Sequence, residues 1–209
     1  MTYFSRVPLN KARIGAQKLL TDGYKMHAAV EACFPPGIPT VTEQGRLLYR
    51  VIDDRVNHSI YLYVVSPEKP DFTSLVEQAG WKTQPGETLD YGAALEGIKE
   101  GDELRFSLRS NAVRRNDDGK RVGCNSPEEY TEYLNNAAVK SGFELVEYSV
   151  TGDTTERLHK PGQRKPVTLK SLTVVGILRV TDEQLFTRAC MCGVGRGRGF
   201  GFGLLLLSR

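Results

Sequence analysis

Glycine occupies every odd position from 193 to 203, and this run constrains the fold of the chain more than any other segment. Glycine has no Cβ and reaches backbone conformations that other residues avoid, so a loop of this kind can approach another backbone or a phosphate closely. An apolar run, Leu204 to Leu207, follows directly. We therefore expect a glycine loop that leads into a last β-strand. Arg196 and Arg198 within the loop favour an anionic neighbour.

The centre of this run, residues 198–202 (Arg-Gly-Phe-Gly-Phe), matches the first five positions of the RNA-recognition-motif signature. That signature lies on an internal strand, so a helix and a further strand should follow it. Only seven residues follow Phe202, which is enough for one short strand. A dinucleotide-binding loop is disfavoured too, because it should follow a strand and open a helix, whereas residues 182–192 before the run have a helical pattern.

The basic residues are concentrated in two segments of a chain whose formal net charge is only +3. Five Lys or Arg lie between residues 157 and 170 without any carboxylate, and six lie between 105 and 121 beside Asp117 and Asp118. Two local basic patches on a nearly neutral chain indicate a specific binding site for a polyanion rather than nonspecific binding over the whole surface.

The four cysteines have no zinc-binding spacing, so we expect neither a metal nor another cofactor. No apolar segment has the length of a signal peptide or a membrane span. We expect a cytoplasmic protein that makes no membrane contact.

The first half of the chain has the element order strand, helix, strand, strand, helix, strand. The expected strands are Tyr3 to Leu9, Arg46 to Ile52, Ile60 to Val65 and a weaker one from Trp81. The expected helices run from the caps Thr21 and Asp22 to about Phe34, and from Pro70-Asp71 through Gln78.

The same order repeats in the second half. The expected strands are Glu103 to Val113, Phe143 to Val150, Ser171 to Val180 and Leu204 to Leu207, and the expected helices run from Ser126 to about Lys140 and from Asp182 to Cys192. Two βαββαβ units predict an α+β chain of two tandem ferredoxin-like, RRM-like domains. We place them at residues 1–90 and 101–209, the second with a basic hairpin over 150–171 and the glycine loop over 193–203.

His27 is the histidine with the best position for chemistry. Met26, Val30, Cys33 and Phe34 form the expected buried stripe of its helix, and His27 lies at the flank of that stripe. Tyr24 precedes it by three residues, so the two side chains can converge. A helix-border histidine bonded to a neighbour is the alternative interpretation.

RNA supplies its own nucleophile, the 2′-hydroxyl, so a ribonuclease needs only a base, an acid and a clamp on the phosphate. Histidine serves as acid or base near neutral pH. A phenol is a weak base at that pH, so the tyrosine is expected to orient or assist. His27, Tyr24 and the surrounding arginines fit these requirements.

The chain resembles the CasE family, the CRISPR repeat-processing endoribonucleases of type I-E Cascade complexes. The resemblance rests on four motifs in the same order: Tyr24-Lys25-Met26-His27, the segment 104–112 (Leu-Arg-Phe-Ser-Leu-Arg-Ser-Asn-Ala), Gly119-Lys120-Arg121-Val122, and the terminal glycine loop. It covers essentially the whole chain.

The resemblance implies tandem ferredoxin-like domains and a metal-independent endoribonuclease that cleaves precursor RNA at the 3′ base of the repeat hairpin and retains the crRNA. The products would carry a 5′-hydroxyl and a 2′,3′-cyclic phosphate. His27 falls on the catalytic histidine and Tyr24 on the active-site tyrosine. The basic hairpin corresponds to an arm that enters the major groove of the RNA. The implied partners are the CRISPR repeat hairpin and other Cascade subunits.

The expected RNA-binding residues are all cationic or contain an imidazole: Lys25, Arg105, Arg109, Arg157, His159, Lys160, Arg164, Lys165, Arg196 and Arg198. The cation that clamps the scissile phosphate stays open between Lys25, Lys18, Arg196 and Arg198, because Ala28 and Ala32 occupy positions that are basic in some relatives.

Two other functions also stay open. A non-catalytic crRNA-hairpin-binding subunit is the first alternative. The second is a single-strand RNA-recognition protein that stacks bases on Phe200 and Phe202, and it is disfavoured because both rings are expected to pack in or beside the last strand.

Overall fold

The computed structural model describes residues 1–54, 56–158 and 166–208 of the chain. The chain is divided into two compact units, one of residues 1–96 with 199–201 and the other of residues 97–198 with 202–208. The three residues Gly199–Gly201 of the glycine loop thus belong to the first unit.

The first unit contains a four-stranded antiparallel sheet and three helices packed on one face of it. Its elements in chain order are β1 (Tyr3–Leu9), α1 (Ile14–Leu20), α2 (Gly23–Glu31), β2 (Val41–Thr42), β3 (Gly45–Arg46), β4 (Leu48–Asp54), β5 (Ser59–Ser66), α3 (Thr73–Ala79), β6 (Glu87–Asp90) and α4 (Tyr91–Leu95). The strand order is β4-β5-β1-β6, and β2 and β3 form a separate small hairpin.

Alternation along the central strands of this sheet sends one set of side chains to the core. Val7 and Leu9 of β1 and Leu62 and Val64 of β5 are buried beneath α1, α2 and α3. Met26 and Val30 of α2 pack on them. This packing fixes the rotation of α2 about its own axis. It therefore also fixes which residues lie on the other faces of that helix.

In the second unit the strands of the four-stranded sheet and the helices between them follow a similar order. Its elements are β7 (Glu103–Asn111), β8 (Val113–Arg115), β9 (Arg121–Gly123), α5 (Pro127–Val139), β10 (Phe143–Leu158), β11 (Val167–Val180), α6 (Glu183–Cys192) and β12 (Leu205–Ser208). The four-stranded sheet has the order β10-β11-β7-β12, and β8 pairs with β9 alone. The two four-stranded antiparallel sheets with their helices confirm the α+β class.

The structure corrects several of the expected boundaries. The first predicted helix follows its Asp22 cap, as expected, but it ends at Glu31 and not near Phe34. Helix α1 precedes it and was missed by sequence reasoning. The strand predicted to run to Val113 ends at Asn111, because β8 turns away to pair with β9. The strands β10 and β11 pair from Phe143 to Leu158 and from Val167 to Val180, which is longer than predicted.

In the part of the chain that the structure describes, no helix is long and apolar enough to cross a membrane.

Candidate functional site

Helix α2 carries the candidate pair, and Asp22 fixes its first turn. The Asp22 carboxylate accepts hydrogen bonds from the backbone N–H groups of Tyr24 at 3.0 Å and Lys25 at 3.2 Å. These bonds, that of Lys25 foremost, hold the pKa of Asp22 below its usual range. Such a cap satisfies N–H groups that a helix start leaves unpaired, so the backbone of Tyr24 is held in place.

The buried stripe of α2 continues beyond the helix. Met26, Val30 and Cys33 are buried, as predicted, and Phe34 is partly buried against the same core. Burial raises the pKa of the Cys33 thiol to about 12, so this cysteine stays protonated and unreactive at neutral pH. Tyr24 and His27 lie outside the stripe and are half-buried.

The glycine loop follows α6 and places Phe200 against these two side chains. Backbone φ is positive at five of its glycines: 193, 195, 197, 201 and 203. Residues 198–200 form one short 3₁₀ turn between them. The ring of Phe200 meets that of Tyr24 edge-on at 5.0 Å between centroids and that of His27 at 5.7 Å.

The two ring nitrogens of His27 have different surroundings. Nε2 lies 3.3 Å from Oε1 of Glu31, an ion pair when the imidazole is protonated. Nδ1 is buried and has no hydrogen-bond partner among residues 1–54, 56–158 and 166–208. Tyr49 stacks on the imidazole at 6.4 Å, with its hydroxyl donating to the carbonyl of Gly23 at 3.4 Å.

A Cβ built on Gly199 would lie 3.7 Å from Cε1 of His27, in ordinary van der Waals contact. The main chain of the glycine loop therefore passes close to the imidazole. A buried nitrogen without a hydrogen-bond partner is costly, and a catalytic role is one of the explanations for such an atom. This arrangement provides a proton donor or acceptor at His27 and a phenol three residues before it. Both groups can take part in general acid–base catalysis.

The expected RNA-binding residues differ in how far other side chains already engage them. Lys25 forms an ion pair with Asp22 at 3.2 Å. Arg109 contacts the carboxylate of Glu156, donates to the Ser171 hydroxyl at 3.1 Å and lies 4.4 Å above the Phe202 ring. Arg109 is thus held in place on the second sheet.

The other predicted RNA-binding cations within the described residues lie on the surface or in the glycine loop. Arg105 and Arg157 are exposed on β7 and β10, and Arg196 is exposed in the loop. Arg198 is half-buried, and its Nε donates to the carbonyl of Gly195 at 3.0 Å. Lys18, a candidate clamp, is exposed in the last turn of α1. His159, Lys160, Arg164 and Lys165 lie outside the described residues.

Sequence reasoning missed two contacts of the candidate histidine. Glu31 follows His27 by four residues, the spacing that brings helix side chains together, and that spacing is the signal that could have found it. Phe200 was expected beside the last strand; this is wrong, because it packs on α2 residues instead. Phe202 is fully buried, as expected, so no base can stack on its ring in this conformation.

Within the described residues, no group of three or more His, Cys, Asp and Glu side chains is arranged to hold a metal ion. The elements and side chains define an α+β protein with a histidine–tyrosine pair on its first unit and exposed cations on its second.

This chain belongs to the family of CRISPR-associated proteins, whose model matches residues 2–209. No curated protein matches it.

Solved structures extend the likeness over the full length. A CRISPR endoribonuclease, Cse3 bound to a 19-nucleotide RNA, is 25% identical, with a TM-score of 0.83 and coverage of 100% of this chain and 99% of that one. Cse3 from Thermus thermophilus, bound to an RNA that represents a pre-cleavage complex, is 24% identical, with a TM-score of 0.82 and coverage of 100% and 99%. The CRISPR-associated protein Cas6e from Escherichia coli K-12 is 17% identical, with a TM-score of 0.65 and coverage of 100% and 99%. The last two likenesses concern the fold alone.

Proposed function

We propose that this protein is a metal-independent endoribonuclease that cleaves CRISPR precursor RNA at the 3′ base of the repeat hairpin and retains the mature crRNA. One observation carries the proposal: His27 and Tyr24 lie on one capped helix, and both of their rings contact Phe200 of the glycine loop. The likeness to Cse3 bound to RNA, at 25% identity over the whole chain, supports RNA as the substrate.

The reaction needs proton transfers and a clamp on the phosphate from the protein. A base removes the proton of the 2′-hydroxyl, its oxygen forms a bond to the adjacent phosphorus, and the bond from phosphorus to the 5′-oxygen breaks. That oxygen takes up a proton and leaves as a 5′-hydroxyl, opposite a 2′,3′-cyclic phosphate. His27 is assigned the proton transfer, because an imidazole takes and gives protons near neutral pH. Tyr24 is assigned to orienting the phosphate or the imidazole.

The same proposal covers the architecture and the partners. Both units are ferredoxin-like domains, at residues 1–90 and 101–209; the strand orders β4-β5-β1-β6 and β10-β11-β7-β12 support this. The partners are the repeat hairpin, bound through the cations of the second domain and of the arm, and other Cascade subunits. The site of action is the cytoplasm.

A non-catalytic hairpin-binding subunit is the second candidate. It is favoured by the burial of Nδ1 of His27, which in this conformation offers that nitrogen to no substrate.

Incubation of the purified protein with its repeat hairpin in EDTA distinguishes the two. We expect cleavage by the wild type and none by His27→Ala, with both proteins binding the hairpin equally well. Intact RNA with the wild type would leave only the binding subunit, and equal cleavage rates for the two proteins would contradict the role assigned to His27. Mass spectrometry of the 5′ fragment should find the cyclic phosphate.

A further inference from the structure

The small β8–β9 hairpin of the second unit places two arginines directly opposite each other. Arg115 of β8 pairs with Arg121 of β9 in the strand register, and both side chains are exposed. Residues directly opposite each other in an antiparallel pair project from the same face, with their Cβ atoms about 5 Å apart. Two like charges in such a pair are destabilising, so this arginine pair (Arg115 and Arg121) costs the hairpin free energy unless an anion lies beside it.

The two faces of the β8–β9 hairpin meet different neighbours. Arg114 lies on the face away from the arginine pair, and its Nε is 2.6 Å from Oε1 of Glu129 of α5. Gly123 lies on the same face as Arg121, two residues along β9, and a Cβ built on it would meet the side chain of Lys170 at 3.2 Å. The arginine pair is therefore on the face opposite to the one that contacts α5, and this face meets β11 at Gly123.

Backbone hydrogen bonds hold the β8–β9 hairpin beside the arm that β10 and β11 form. The N–H of Ala112 donates to the carbonyl of Lys170 at 2.9 Å, and the N–H of Cys124 donates to the carbonyl of Ala112 at 3.0 Å. Ala112 directly precedes β8 and Cys124 directly follows β9, so both ends of the hairpin are fixed at this point of β11. The arginine pair thus lies in the same unit as the arm and on the hairpin next to it.

No carboxylate neutralises the arginine pair within the described part of the chain. The ion pair of the β8–β9 hairpin is that of Arg114 with Glu129, on the other face. Asp117 and Asp118, in the turn between the strands, are exposed and form no ion pair with the two arginines. Both guanidinium groups are therefore available to an anion from outside the protein.

We propose that Arg115 and Arg121 together clamp one phosphate of the RNA backbone beside the arm. A guanidinium can donate two parallel N–H bonds to phosphate oxygens, and a phosphate between two such groups offsets their repulsion. A backbone phosphate suits this exposed position, because charge and hydrogen-bond donors recognise it without a pocket. The inference rests on the proposed function and deepens it, since it adds a backbone contact on the second unit that is separate from His27.

The first test measures the affinity for the repeat RNA hairpin against salt in the His27→Ala background, so that cleavage does not interfere. Arg115→Gln/Arg121→Gln removes both charges and keeps long polar side chains. We expect its Kd to rise on the order of 10-fold at low salt, and the slope of log K against log salt to fall by about one unit, as for one lost phosphate contact. The matched control, Lys140→Gln/Arg188→Gln, removes the same charge from exposed positions at the end of α5 and in α6 and should leave the slope unchanged.

A second variant tests the repulsion itself in the absence of RNA. Arg121→Glu turns the cross-strand pair into one of opposite charges, which is stabilising. We expect the Tm of the free protein to rise at low salt by a few degrees at most, and this gain to shrink at high salt because ions screen exposed charges. The same variant should bind the RNA hairpin more weakly than the wild type, and a more stable protein that binds less well excludes damage to the fold as the cause.

Equal Kd values and slopes for the glutamine double variant and its control would overturn the clamp, and that is the result expected if the pair meets an acidic protein instead. An unchanged or lower Tm for Arg121→Glu would also overturn it, because the two arginines would then not repel each other in the free protein. The proposed function fails separately, in a wild type that binds the RNA hairpin and leaves it intact in EDTA.

Discussion

At the scale of single residues, the imidazole of His27 is held from two sides. Glu31 lies at its Nε2, and the Phe200 ring covers it together with Tyr24. Phe200 has no chemistry of its own to contribute. Its contacts restrict where the two candidate catalytic side chains can point, and such positioning strongly affects rate.

The first prediction concerns this positioning. We expect Phe200→Ala to slow single-turnover cleavage by up to about 100-fold, the size of effect that a displacement near 1 Å produces. Hairpin affinity should change little. The cleavage rate of Phe200→Leu should lie between the rates of Phe200→Ala and the wild type. A rate that is unchanged at saturating protein, or that falls only in step with affinity, would contradict a positioning role.

The second prediction concerns Gly195, which the fold requires for two reasons. Its φ is +76°, and a Cβ there would lie 2.7 Å from the Tyr133 hydroxyl and 2.9 Å from the Ser110 hydroxyl. Those two hydroxyls are hydrogen-bonded to each other at 2.5 Å, so neither can yield easily.

Gly119 is the matched control, because its φ is +73° but a Cβ there meets nothing within 4 Å. Gly119→Ala should cost about 1–2 kcal/mol in backbone strain alone. Gly195→Ala should cost a further 1–3 kcal/mol, roughly, from overpacking. Urea unfolding of the two variants measures the difference, and equal free energies of unfolding would show that the Tyr133–Ser110 pair adapts freely.

At the scale of elements, the longest pair of strands, β10 and β11, is tied to α5 by a polar cluster. Asp153 of β10 accepts from the Tyr130 hydroxyl of α5 at 2.5 Å and pairs with Nζ of Lys170 of β11 at 2.5 Å. The hydrogen bond from Lys170, followed by that from Tyr130, holds the pKa of Asp153 below its usual range. The same pairing raises the pKa of Lys170.

The third prediction follows from this pKa. Because the folded pKa of Asp153 lies below the unfolded one, its stabilising contribution is present above about pH 4 and is lost as the pH falls through the folded value. Asp153→Asn should therefore lower Tm at pH 7 and have little effect at strongly acid pH. The side chain is more than a third exposed, so we expect less than about 1 kcal/mol.

Asp118→Asn, at an exposed turn position, is the control and should leave Tm unchanged at both pH values. An equal loss for Asp153→Asn at neutral and acid pH would mean that shape, and not charge, makes this side chain stabilising.

Sequence patterns predicted some of the helices and strands and missed others. Asp22, Ser126 and Asp182 were recognised as helix caps, and all three accept backbone hydrogen bonds as predicted. Helix α1 was missed because Arg13 at its start makes no side-chain cap. The separate hairpin of β8 and β9 was missed because a long-range contact forms it: the backbone of Ala112 bonds both Lys170 and Cys124, so the chain turns there.

The candidate site also has one part that the sequence predicts and one part that it does not. The helical spacing of Tyr24 and His27 is local, and it could be read from the sequence. The position of Phe200 could not, because residue 200 follows His27 by more than 170 positions and no periodicity spans that separation. Three-dimensional contact alone makes residues 199–201 part of the first unit.

At the scale of the whole molecule, a small net charge conceals an uneven distribution. The chain carries 28 Lys and Arg against 25 Asp and Glu, yet residues 157–170 hold five cations and no carboxylate. An RNA bound there would release counterions from its backbone, so its affinity should depend on salt far more than a net charge of +3 suggests.

The last prediction tests this arm as a unit. Replacing Arg157, Lys160, Arg164 and Lys165 together by alanine should weaken hairpin binding and reduce the slope of log K against log salt by about one unit per lost phosphate contact. The control replaces four exposed lysines outside the arm, Lys11, Lys69, Lys82 and Lys140, and removes the same charge. If net charge alone governs binding, both quadruple variants flatten the slope equally. If the arm contacts the RNA, only the first variant flattens it, and an unchanged slope for that variant would place the arm off the RNA.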